Sequence, residues 1–142
     1  MVNLLSSSSA FFAALISLFI GALGSLVFRR HDKLANNWGH SFSALGSLFG
    51  LMSSLSVIIL ADKVSYKFAS SLSFLAFSIN IDKLSAFFVF TISLISLFSS
   101  IYGFGYGRHF FGKYNLGALG FFYNLFIAGM LLVVAASDAV FF

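Results

Sequence analysis

This sequence has no cysteine, no proline and no glutamate, and only 8% of its residues are charged, against about 25% in an ordinary soluble domain. Without cysteine, disulfides, thiol chemistry and Cys-ligated metals are excluded. Without proline, nothing obliges a kink in any helix the chain forms. What fills the chain instead is apolar. Of its 142 residues 60% are hydrophobic, 21 are Phe, and the mean hydropathy is +1.02. A chain this short cannot hide so much apolar surface from water, so it reads as an integral membrane protein. Its net charge of +4 sits in small clusters between apolar runs. That pattern orients helices in a lipid bilayer and does not suggest a nucleic-acid partner.

Four stretches, near 10–28, 41–60, 84–102 and 116–137, carry no charged residue and match the roughly 20 helical residues a hydrocarbon core requires. The first is no cleaved signal peptide, because no positive charge precedes it and Arg29, Arg30 and Lys33 follow it. Three positive residues follow the first run, three the second (Lys63, Lys67, Lys83) and two the third (Arg108, Lys113). The positive-inside rule then predicts both ends outside. Residues 68–81 are apolar but too short to cross. Their end, "FSINID", alternates apolar and polar as a half-buried strand or an extended cap would. The expected fold is a single all-α membrane domain over 1–142, with four transmembrane helices and a short extended segment between the second and third. "AVFF" at 139–142 reads as the start of a fifth span cut short.

Helices in lipid associate through close backbone approach at small residues. Each run carries such residues at three- and four-residue spacing, hence on one face. They include Gly21 in the first run, the "GSLFG" pair Gly46 and Gly50 in the second, and Gly117, Gly120 and Asn124 in the fourth. The opposite faces are rich in Phe and Leu, suited to lipid or a large partner.

Moving ions through a membrane calls for ionisable groups at mid-depth, and the four runs contain none. The absent Glu also argues against the small four-helix multidrug exporters. Asp82 and Lys83 mark where the third helix begins rather than a proton inlet. Asn124, the only Asn within a run, is interhelical glue before it is a transport group. His40 and His109 read as solvated interfacial side chains, and His31 with Asp32 as loop electrostatics. "GFGYGRHF" at 103–110 lacks the preceding strand and the later acidic residue of a dinucleotide loop; Tyr102 and Tyr106 form part of an aromatic belt instead. No catalytic, cofactor or metal site is expected in this chain.

The stretch "NIDKLSAFFVFTISLISLFSSIYGFGYG" at 80–107 resembles the antiporter-like proton-translocating subunits shared by complex I, membrane-bound hydrogenases and Mrp-type antiporters. Asp82, Leu84 and Ser85 match that family's opening of the third helix, and Ser100, Tyr102 and Tyr106 match its Ser-x-Tyr-x-x-x-Tyr ending. "FFYNLFIAGMLLVVAASDAVFF" at 121–142 looks like its fourth helix leading into the fifth. The nearest flavour is the large membrane subunit of formate hydrogenlyase and hydrogenase-4-type complexes. The resemblance implies about fourteen helices in the whole subunit, with proton-handling Glu and Lys residues on helices beyond this chain. It implies an amino-terminal portion that packs and docks against other membrane subunits of a redox-driven complex and against lipid. The rival readings are a self-contained scaffold or regulator acting as an oligomer, and a minor transporter using Asn124 and Ser hydroxyls around a neutral substrate.

Overall fold

A computed structural model describes residues 7–60, 64–68 and 77–136. Four helices dominate it: α1 (Ser7–Val27), α2 (Asp32–Leu60), α3 (Lys83–Tyr106) and α4 (Leu116–Ala135). Each is long and apolar enough to cross a membrane, so the fold is an all-α membrane bundle. Between α2 and α3, β1 (Val64–Phe68) and β2 (Phe77–Ile81) pair antiparallel, with Val64 opposite Ile81 and Phe68 opposite Phe77. The alternation in "FSINID" signals β2. Its partner "VSYKF" alternates the same way. The expected fifth-helix start at 139–142 lies outside the described residues.

The helices start where a side chain can satisfy the orphan N–H groups of a first turn. Asp82 Oδ1 accepts from the Ser85 N–H at 2.8 Å to open α3, and Asn115 Oδ1 accepts from the Ala118 N–H at 3.1 Å to open α4. Helix α2 begins at Asp32, well before the uncharged run that starts near 41. A carboxylate in the first turn complements the positive end of the helix dipole. Hydropathy measures the stretch that fits in hydrocarbon. It does not set where the hydrogen-bonded ladder ends.

The bundle is built around α2, which packs against all three other helices, while α4 touches α1 and α2 more than it touches α3. Its polarity is inverted relative to a water-soluble bundle. Outward faces carry Phe19, Leu23, Phe49, Phe87, Phe98 and Phe126, while Ser25, Ser43, Ser53, Ser54, Ser93 and Ser100 are fully buried. At the hairpin end the core is apolar, with Phe11, Leu18, Val57, Val89, Ile127 and Leu131 in one cluster. The other end, where α1 meets α2 and α3 meets α4, holds the buried amides and the imidazole.

Candidate functional site

The two connections at this end are tied together. Gly112, at φ +75° in the left-handed region that glycine enters without steric penalty, donates its N–H to Asp32 Oδ2 at 2.7 Å. Asp32 is therefore an anchor between loops 80 residues apart in sequence, a role that its position beside His31 did not signal. On the α1 side, Trp38 closes the contact. Its indole stands over Gly24, its Nε1–H donates to the Ile20 carbonyl at 3.3 Å, and its ring meets Phe42 at 4.8 Å and Phe28 at 5.3 Å.

Inside this end, α2 presents Asn36, His40, Ser43 and Ser47 along one face. The expectation of a solvated His40 is overturned, since its side chain is only 6% exposed. The physical reason is the early start of α2. It carries His40 two turns into the helix, in register with the serines. Gly103 of α3 makes the space, because a Cβ there would run into the imidazole, and Gly107 does the same for Asn36. The His40 ring rests between Phe104 and Tyr123, with centroids 5.8 and 5.4 Å away, and its Nδ1 is buried with no hydrogen-bond partner. Asn36 Nδ2 donates to the Phe104 carbonyl at 3.4 Å.

Below His40 runs a cluster of hydroxyls. The Ser100 Oγ lies 2.8 Å from Ser43 Oγ, 2.7 Å from the Ser96 carbonyl and 3.2 Å from the Tyr123 hydroxyl. Ser47 donates to the Ser43 carbonyl at 2.8 Å. Helices α2, α3 and α4 thus meet on one polar node. Asn124 is a second node, its Nδ2 donating to the Gly39 carbonyl of α2 at 3.1 Å and to the Gly120 carbonyl at 2.9 Å. Its Oδ1 is buried without a partner and faces Gly21 across a gap that a Cβ would narrow to 2.8 Å.

The remaining small residues singled out in the sequence also face helices of this same chain. Gly46 lies against Leu18 and the Ala14 carbonyl, Gly50 against Ser93, Gly117 against Arg29 and the Ser25 carbonyl, and Gly120 against Ser25. The six motif residues of 80–107 do not form one site. Asp82 and Ser85 cap α3 at the hairpin end, Leu84 points outward at 65% exposure, and Ser100 turns into the polar node at the other end. The Ser85 N–H holds the Asp82 carboxyl below its ordinary range. Tyr102 and Tyr106 stack at 5.4 Å on the outside of α3, and Phe110 and Tyr114 extend that ladder at 5.0 and 5.7 Å spacings.

This ladder forms one wall of an open cleft of about 340 Å³ between α3 and α4, floored by Asn36 and His40 of α2. Next to it lies a cleft of about 460 Å³ lined by Lys33, Asn37, Arg108 and Phe111. Among the described residues no three His, Asp or Glu side chains gather as metal ligands would. The arrangement can hold helices together, accept hydrogen bonds and receive an amphiphile. The face at Asn36, His40, Ser43 and Ser47 was readable from its three- and four-residue spacing, had α2 been started at Asp32.

No family model matches the chain. It is 33% identical over 131 residues to Hydrogenase-4 component B of Escherichia coli (strain K12), an alignment taking in 92% of this chain and 18% of that protein. Each of the four helices is longer than the eleven residues left outside the alignment, so the similarity reaches all of them. It supports the antiporter-like family that residues 80–107 resemble. The chain spans less than a fifth of the relative's length.

Proposed function

We propose that this chain is the amino-terminal part of a membrane subunit in a hydrogenase-type complex, of the antiporter-like family, and that its own work is packing and docking. The observation that carries this reading is the alignment with Hydrogenase-4 component B across all four helices. The chemistry of the interior supports the division of labour. Among the described residues the buried polar side chains are serines, two asparagines and His40, with no carboxylate, lysine or arginine. Ion passage through lipid depends on ionisable groups in the interior; His40 is buried there, with no buried carboxylate or lysine beside it among the described residues to continue a relay, and on this reading proton handling falls to other helices of the complex. The small-residue faces are occupied within the chain, which leaves the outer Phe- and Leu-rich faces for neighbouring subunits.

The test is affinity purification of the tagged chain from its native membrane in a mild detergent, with mass spectrometry and a hydrogen-evolution assay of the eluate. Copurification of hydrogenase subunits with activity is expected. Elution of the chain alone, as a defined homo-oligomer without that activity, overturns the proposal and favours a self-contained scaffold.

A further inference from the structure

We infer that the two adjoining clefts at the connection end form a seat for one anionic phospholipid, with its phosphate between Lys33 and Arg108 and an acyl chain along the aromatic groove. The inference does not rest on membership in a hydrogenase complex. It begins from the shape of the α3/α4 seam. There α2 supplies the floor, and Tyr102 and Tyr114 on the walls remain 67% exposed. The groove is therefore open to the bilayer from the side. The basic cleft lies across a shared wall from the groove, because Asn36 and Asn37, Gly107 and Arg108, and Phe110 and Phe111 are consecutive residues, one of each pair lining either cleft.

Charge selects the occupant. The two connections carry Arg29, Arg30, Lys33, Arg108 and Lys113 against the single carboxylate of Asp32, and Asp32 is engaged by the Gly112 N–H. Neither Lys33 nor Arg108 has an ion-pair partner among the described residues. Basic pockets between transmembrane helices recognise anionic headgroups, and aromatic side chains hold the interfacial level where headgroup and chain meet. A further transmembrane helix laid into the seam would cover the two cations without bringing a counter-charge, which is costly away from water. A lipid phosphate supplies that charge, and its chain covers the aromatic wall.

Native mass spectrometry of the 142-residue chain in detergent, with phosphatidylglycerol and phosphatidylcholine of identical chains, tests this. Retention of phosphatidylglycerol about tenfold above phosphatidylcholine is expected. The pair Lys33→Gln and Arg108→Gln removes that preference, whereas Arg29→Gln with Arg30→Gln, which takes the same charge from the same end, leaves it within about twofold. Equal binding of the two lipids overturns the inference. So does an equal loss in both double variants, the mark of diffuse attraction to a basic surface. A photo-crosslinking amino acid at position 106, activated in native membranes, gives an independent reading. Lipid adducts support the seat, and adducts to a neighbouring protein helix overturn it.

Discussion

The two ends of the bundle are held by different physics. At the hairpin end Phe11, Leu18, Val57, Val89, Ile127 and Leu131 form a dry cluster whose cohesion is van der Waals contact, individually small and collectively large. At the connection end cohesion comes from two amides that reach backbone carbonyls across helices, from the Ser43, Ser100 and Tyr123 hydroxyls that meet one another, and from an imidazole packed between two aromatic rings. Lipid offers helices no hydrophobic drive to associate, so neither end has the advantage it would have in water. The difference teaches that the apolar end depends on filled volume, and the polar end on glycines that admit polar side chains without overlap.

Removing volume at the apolar end is expected to have the largest effect. Phe11→Ala, which empties a fully buried ring site, is expected to destabilise by about 3–5 kcal/mol, read as a lowered midpoint of denaturant unfolding in micelles. A loss below about 1 kcal/mol would show that this end does not depend on packing. Adding volume at the polar end comes next. Gly103→Leu drives a side chain into the His40 ring, whereas Gly105→Leu two residues on meets open space. The first is expected to cost about 1–3 kcal/mol and the second close to nothing. Equal Tm values for the two would break the contrast.

Asn124→Leu is a smaller perturbation. It removes the link to the Gly39 carbonyl, and the expected loss is about 1 kcal/mol, the scale of an interhelical hydrogen bond in lipid. No loss, or a gain, would assign the polar end's cohesion to the Ser100 node. The smallest effect is a pH dependence at the start of α3. Because the Ser85 N–H depresses the folded carboxyl of Asp82, the stability it contributes is present above the ordinary carboxylate range and is lost as pH falls through the depressed value. The amide resonance of Ser85 is therefore expected to titrate with a midpoint below that range, and the titration should vanish in Asp82→Asn. A midpoint at or above the ordinary value contradicts the capping role.

Particular residues show how far the sequence could be read. The four spans were legible because a bilayer imposes a minimum apolar length, and β2 because "FSINI" alternates. The residues from 32 to 40 were not. Their charges and amides mimic a loop, yet they form the first turns of α2 and carry the buried Asn36 and His40. Nor does the sequence show that Asp32 meets Gly112, or that Gly103 exists to clear the imidazole, since such pairings depend on how helices far apart in the chain cross.

Composition and periodicity by themselves determined that this is a membrane chain, that its described residues hold four helices long and apolar enough to cross a bilayer, and that each carries small residues on one face. The reason is that lipid leaves a chain few ways to satisfy its backbone. The tertiary structure alone decided which helix each glycine meets, that the buried amides and the imidazole gather at one end, and that an aromatic groove there adjoins a pair of cations. Those facts follow from crossing geometry and side-chain fit, which no single helix encodes.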